Sequence, residues 1–438
     1  MTNHADREMR PTRARYTLLL LLCALTFVLY LDRICISQAV DSIQEELSLT
    51  NTQMSLVLMA FTLAYGLFEV PTGHWGDQVG ARSVLTRIAV WWSLFTALTA
   101  ASFGFWSLLL IRFLFGAGEA GAYPNVARIV ARWYPLAERG KIQGLVQTAA
   151  FLGGTVAPVM AAYLIQSVGW RWAFVLFGML GIVWAWGFWN WFRDDPAKHT
   201  GVNSLELLHI GTHGRNQERH RQPIPWSAVA RNPSIWFLAI IMTCASFNSY
   251  FYFSWFPKYL KAGRDIPEIQ AGWLASFVLG AAALGTFLGG FWVDRTRGVG
   301  SRRWHGGIAF FLAALFLGLA YSSERPWALA FFAALSCFFA MSTQSGWWSC
   351  SIEISGRHLG ALFGLMNGMG VFGAMASQYF VGAFTDWRKE RGYSGRDQWD
   401  AIFPVYMGVL LIASLCWALY QSRVVVPDPE NSAEDHAG

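Results

Sequence analysis

Five ionisable residues stand inside otherwise apolar stretches of this 438-residue chain: Asp32, Arg33, Glu69, Arg112 and Glu119. A charge at membrane depth costs a few kcal/mol unless a partner and a polar interior receive it, so such residues mark candidate sites of function. Arg112 and Glu119 are seven residues apart, about two helical turns, and leave a helix on one face. Asp32 and Arg33 are adjacent, about 100° apart around a helix, and are expected to serve different partners. A guanidinium offers a planar fork of donors matched to a carboxylate and stays charged where an ammonium group would neutralise. A carboxyl group's hold on its proton depends on burial and on the cation beside it, so an arginine that changes partner can make a carboxyl take up or release a proton. Together these groups have the chemistry to bind an organic anion and to move protons. The competing reading is a buried charge network among Asp32, Glu119 and the two arginines that only fixes helix packing, although buried pairs stabilise poorly compared with apolar packing. Glu69, just before Pro71, sits near the end of its apolar run and is expected in a gate network rather than as a proton carrier.

The elements that must position these groups are membrane helices. The chain is 54% hydrophobic and only 14% charged, with 23 Trp and 33 Phe, and its apolar runs of roughly 18–25 residues alternate with short polar breaks. Twelve spans are predicted, at about 16–40, 53–73, 83–103, 105–127, 142–165, 170–192, 234–257, 270–293, 305–322, 326–350, 359–383 and 401–422. This gives a first six-helix bundle over 1–192, a linker over 193–233 and a second bundle with a short tail over 234–438. Lys and Arg number 22 on the side that carries the N-terminus and 9 on the other, which places both termini and the linker in the cytoplasm. These two sums make 31 of the 33 basic residues, leaving only Arg33 and Arg112 within the membrane.

Other classes of function find no footing. The net charge of +6 is scattered through the breaks between spans as a topology signal, and no nucleic-acid partner is expected. The first apolar run is too long for a cleavable signal, and the six cysteines have no C-x-x-C or metal spacing, so neither disulfide, metal nor other cofactor is expected. There is no G-x-x-x-x-G-K-[ST] motif for ATP and no nucleophile–base cluster, so the chain reads as no enzyme. The nine histidines fall in loops, termini or span ends, which leaves the carboxylates to carry protons.

The halves repeat one another. Gly73-His74-Trp75-Gly76-Asp77-Gln78-Val79-Gly80-Ala81-Arg82 follows span two, and Gly290-Phe291-Trp292-Val293-Asp294-Arg295 follows span eight. Gly140–Gln147 opens span five as Gly360–Asn367 opens span eleven, at an offset of 220 residues. Parallel repeats of this kind put a substrate site near the bilayer midplane. Gln147 and Asn367 occupy matching positions, where paired amides bind the hydroxyls of a sugar acid or bond helix to helix.

The six-plus-six layout with G-x-x-x-D-x-x-G-x-R after span two resembles the major facilitator superfamily over nearly the whole chain. Asp32-Arg33, Arg112-Phe113-Leu114-Phe115-Gly116-Ala117-Gly118-Glu119-Ala120 and Trp170-Arg171-Trp172-Ala173-Phe174 resemble, within it, the anion:cation symporter family of hexonate and hexuronate transporters, sialin and vesicular glutamate transporters. The resemblance implies Arg33 for the substrate carboxylate, Tyr65 as a substrate contact, Glu119 and Asp32 as proton carriers, and Arg112 as the switching partner. It also implies a latch in the Gly73–Arg82 loop, with Asp77 and Arg82 as its charges, Asp294 as the weaker counterpart and Glu69 nearby. The expected function is proton-coupled symport of a small organic anion by a monomer in the cell membrane, working by alternating access. Proton-driven export or exchange is the alternative mechanism, and a non-transporting substrate sensor the alternative class.

Overall fold

The computed structural model describes residues 11–211, 226–295, 299–355 and 359–421, and among them helix is the only regular element. The contacts divide the chain into two compact units, Met1–Leu49 with Ala60–His220, and Thr50–Met59 with Arg221–Gly438.

The first unit opens with α1 (Ala14–Leu47), 34 residues without a glycine or proline to interrupt it. Its N-cap, Arg13, supplies no side-chain cap. The free N–H groups of the first turn are met instead by Glu206, whose carboxylate accepts from the backbone of Ala14 at 3.3 Å and Arg15 at 3.1 Å. Glu206 is fully buried, and Arg15 Nε at 3.2 Å balances its charge. At the far end of α1, Glu46 accepts from Trp170 Nε1 at 2.6 Å and Arg171 Nε at 2.9 Å. Hydrogen bonding from Arg171, then from Trp170, holds the Glu46 carboxyl below its ordinary value.

Then come α2 (Asn51–Val79), α3 (Ala81–Thr99), α4 (Phe105–Glu119), α5 (Ala122–Trp133) and α6 (Leu136–Trp191). One predicted span is broken between α4 and α5: Ala120 is extended and Gly121 takes φ +85°, a left-handed conformation natural to glycine. The 56-residue α6 holds two predicted spans, joined at Gly169 with φ +81°. The first arm of α6 lies along α1, where Thr26 Oγ1 donates to the Val146 carbonyl at 2.9 Å. Its second arm lies along α3, and Trp184 Nε1 donates to Leu21 O at 2.8 Å.

The second unit holds α7 (Pro233–Ser254), α8 (Glu268–Arg295), α9 (Val299–Ser322), α10 (Pro326–Ser342), α11 (Gln344–Ser355), α12 (Leu359–Glu390) and α13 (Phe403–Leu419). Proline at N1 starts α7 and α10, where its missing N–H costs nothing. Helix α7 packs on α12, α8 on α10, and α9 on α13. Residues 50–59, the first turns of α2, group with this unit, and Asp386 there accepts from the backbone of Asn51 at 3.2 Å and Thr52 at 2.6 Å.

Among the described residues, eight helical stretches are long and apolar enough to cross a bilayer by length and composition. One of them, Leu136–Trp191, is two helical arms joined at Gly169, and α2, α3 and α12 are three further long helices, which makes twelve. The chain is thus an all-α membrane protein of twelve spans in two six-helix bundles.

The duplication is written in the packing. A Cβ at Gly153 of α6 would land on the backbone carbonyl of Phe27 in α1, and one at Gly373 of α12 would land in the same way on Thr243 of α7. Glycine permits this close approach of backbones, which supplies dispersion contact where lipid leaves no hydrophobic drive between helices. From 153 to 373 is again 220 residues, the offset carried by Gly140–Gln147 and Gly360–Asn367. Thr243 Oγ1 donates to the Met369 carbonyl at 3.2 Å between α7 and α12, and Thr26 Oγ1 to Val146 between α1 and α6, at positions that are not equivalent in the repeat.

Candidate functional site

Glu119 is the last residue of α4, set just before the break at Ala120–Gly121, and its side chain reaches Arg33 of α1. Arg33 donates to Glu119 Oε1 from Nε at 2.9 Å and also from Nη2, so one carboxylate oxygen takes two charged donors. The other, Oε2, is buried and has no hydrogen-bond partner among the described residues. Charge-assisted bonds of this kind are roughly twice as strong as neutral ones.

Aromatic rings complete the surroundings of the arginines. The Arg33 guanidinium lies 4.8 Å from the Tyr65 ring centroid and 5.2 Å from those of Tyr30 and Phe61. Arg112, one face of α4 earlier, lies 4.2 Å from the Phe115 centroid and 5.4 Å from that of Phe61. Phe61 therefore stands between the two cations, each within cation–π range, which stabilises a desolvated guanidinium by about 0.5–2 kcal/mol per ring. Phe61 and Tyr65 are four residues apart on α2 and present one aromatic face.

Asp32 lies about 100° around α1 from Arg33. It is fully buried, with Trp92 and Thr96 of α3 and Arg112 among its polar neighbours, and neither oxygen completes a hydrogen bond among the described residues. Arg112 is also buried, with Nε and Nη1 unpartnered. The cluster thus contains two acids and two arginines, one completed ion pair and unspent bonding capacity on Asp32, Arg112 and Glu119. Leaving such groups unmade costs about 1–3 kcal/mol each, which favours any rearrangement or ligand that pairs them. The Arg33 side chain retains 17% exposure against 1% for Glu119. Arg33 is accordingly the more open member of the pair.

Glu69 is half-buried on α2 and acts electrostatically on Tyr65. Gln147 is half-buried on α6, one residue beyond the Val146 carbonyl that binds Thr26, and Asn367 is half-buried on α12 of the second unit. Among the described residues the Arg82 side chain meets Trp189: Nε donates to its carbonyl at 3.1 Å, and the guanidinium lies 4.3 Å from its ring centroid. Its backbone N–H donates to Asp194 at 3.0 Å, so Asp194 caps the start of α3. The side chains of Asp77 and Asp294 lie outside the described residues. Phe61, Tyr30, Trp92 and Thr96 were not singled out from sequence. Aromatic and hydroxyl residues are common in membrane helices, and only the i, i+4 spacing of Phe61 and Tyr65 offered a signal.

Comparisons with known proteins bear on this site. The family model described as Major Facilitator Superfamily matches residues 22–378. The chain is 32% identical over 380 residues to a probable sulfoacetate transporter, SauU, of Cupriavidus necator, covering 84% of this chain and 87% of that protein. It is 27% identical over 393 residues to a probable galactarate/D-glucarate transporter, GudP, of Bacillus subtilis, covering 85% and 86%. Among solved structures, a bacterial homolog of the human lysosomal transporter Spinster, in an inward-facing and occupied conformation, superposes with a TM-score of 0.75. That match has 20% identity and covers 93% of this chain and 96% of the other, a likeness of fold.

Proposed function

The chain belongs to the Major Facilitator Superfamily, and from that premise we propose that it is a proton-coupled symporter of a small organic anion, working by alternating access. Its relatives carry names of sulfoacetate, galactarate/D-glucarate and hexuronate transporters, and a transporter of organic anions, rather than an enzyme, is the class they share. The observation that carries the finer reading is the Arg33–Glu119 pair: one accessible guanidinium held by a sealed carboxylate.

In this reading Arg33 binds the carboxylate or sulfonate of the substrate, and Tyr65 lines its path. An anion on Arg33 displaces Glu119, which keeps its buried place by taking a proton. Protonation and anion binding then favour one another, and this reciprocity is the coupling. Arg112 is the alternative partner that attracts Glu119 or Asp32 when Arg33 is occupied, and Asp32 is the second proton carrier. Gln147 and Asn367 contribute amides for substrate hydroxyls. Glu69, Asp77, Arg82 and Asp294 belong to the gates. The protein works as a monomer in the cell membrane with both termini in the cytoplasm.

Uptake into proteoliposomes tests this reading, with D-glucarate, a hexuronate and sulfoacetate as labelled substrates. An inward proton gradient drives accumulation of at least one of them in wild type, and Arg33→Ala abolishes its binding. Downhill exchange with no response to the gradient would remove the symport mechanism. Binding without any transport would favour a sensor.

A further inference from the structure

Three buried polar side chains cluster inside the second unit: Asn248, whose amide is unpartnered among the described residues, and Tyr252 and Ser336, whose hydroxyls lie against one another. Asn248 is fully buried, and neither Oδ1 nor Nδ2 has a hydrogen-bond partner among the described residues. The hydroxyls of Tyr252 and Ser336, equally buried, face one another and complete no hydrogen bond to any third group among the described residues. Asn248 and Tyr252 are four residues apart on α7 and share a face, and the Tyr252 hydroxyl lies against Ser336 of α10. Buried groups of this kind in native proteins call for an explanation, most often a bound molecule.

The repeat sharpens the observation. Asp32 stands five residues after Phe27, whose backbone meets Gly153, and Asn248 stands five residues after Thr243, whose backbone meets Gly373. The duplication therefore puts Asn248 where the first unit has Asp32, and both have two buried terminal atoms without partners. Their surroundings differ in charge. Asp32 has Arg112 and Glu119 acting on it, whereas the ionisable groups acting on Tyr252 are Cys337 and Tyr406, and the Tyr406 hydroxyl is already bonded to Ser377 at 2.6 Å.

The donor and acceptor inventory narrows the ligand. A cation would suit Asn248 Oδ1 and the two hydroxyl oxygens but would meet the Nδ2 protons. An anion would suit Nδ2 and meet Oδ1. A hydroxyl both gives and accepts within one small neutral group and satisfies both ends of the amide. We propose that Asn248, Tyr252 and Ser336 form a neutral hydroxyl-binding site in the second unit, filled by a water molecule or by an alcohol group of the transported anion. The alcohol source rests on the transport reading above; the water source does not.

The test combines high-resolution maps of the full-length protein, with and without D-glucarate, with binding of D-glucarate and of adipate, the six-carbon diacid without hydroxyls. Wild type is compared with Tyr252→Phe and Ser336→Ala, both of which keep the shape of the core. A density peak within hydrogen-bond reach of Asn248 in the map without anion identifies water. A D-glucarate hydroxyl in that place identifies the alcohol source, and Tyr252→Phe then weakens D-glucarate binding by roughly three- to tenfold, as expected for one hydrogen bond, while adipate binding is unchanged. The proposal is overturned where the Asn248 amide is bonded directly to protein groups, neither map has a peak, and both variants leave the D-glucarate to adipate ratio at the wild-type value. Failure of wild type to bind D-glucarate, adipate and sulfoacetate alike would sink the transport reading, and the map without anion would still decide this site.

Discussion

Glu119→Gln is the substitution whose consequences follow most directly from the geometry. In the wild-type protein the Arg33 Nε and Nη2 groups both donate to Glu119 Oε1, and the carboxylate is sealed while the guanidinium is partly open. A substrate anion must therefore replace a charged acceptor that is already in place. Hydrogen bonds to charged groups contribute about 1.5–3 kcal/mol, and an amide oxygen in place of the carboxylate forfeits most of the charged part. With that competition removed, anion affinity at neutral pH should rise by roughly ten- to a hundredfold, at about 1.4 kcal/mol per tenfold. The same substitution removes the proton that couples anion binding to pH. Calorimetric titration with the transported anion at pH 6 and pH 8 should show wild-type affinity falling as pH rises and Glu119→Gln affinity both higher and nearly flat. In proteoliposomes the variant should exchange labelled for unlabelled anion yet fail to accumulate it against a gradient. Wild-type accumulation in Glu119→Gln, or anion affinity reduced tenfold or more, would refute this reasoning and assign the proton to another carboxyl, with Asp32 next in line.

Further outcomes can be checked on the purified protein. Glu206→Ala strips the acceptor from the first turn of α1, while Arg15 keeps Glu138 at 3.1 Å; leaving those buried N–H groups unpaired costs about 1–3 kcal/mol, so thermal unfolding should move down by a few degrees while transport per folded molecule is retained. Gly153→Ala forces a methyl onto the Phe27 carbonyl and should cost about 1–3 kcal/mol as overpacking, whereas Gly187→Ala, which meets nothing within 4 Å, should be neutral in the same melting assay. The Glu46 carboxyl is held below its ordinary value of 4.5 by Arg171 and Trp170. Its contribution to stability is therefore present above about pH 4.5 and lost as pH falls through the lowered folded value. The melting difference between wild type and Glu46→Gln should be constant from pH 8 to pH 5 and shrink below pH 4.5; a difference that grows on acidification would reverse the sign of the argument.

The charges in this chain announce themselves in sequence because each interrupts an apolar run, and Asp32, Arg33, Arg112 and Glu119 do lie in one cluster. Which arginine holds Glu119 is a matter of how α1 meets the end of α4, and no spacing within either helix contains it. The break after Glu119 had its sign in Gly118 and Gly121, while the break at Thr343 between α10 and α11 rests on a residue with ordinary helical angles and left no mark. The repeat was visible in Gly140–Gln147 and Gly360–Asn367, but the correspondence of Asp32 with Asn248 was not. An acid and an amide look unrelated until the glycine contacts at Phe27 and Thr243 align the two helices. Glu206 as the cap of α1 was equally hidden, since 191 residues separate it from Arg15.

Coupling of anion to proton movement is the central claim, and the direct measurement is substrate-driven proton flux into proteoliposomes carrying a pH-sensitive dye. Adding the transported anion outside, with no imposed pH gradient, should acidify the lumen in wild type and leave it unchanged in Arg33→Ala and Glu119→Gln. Uptake of labelled anion at wild-type rate with no change in luminal pH would contradict the account.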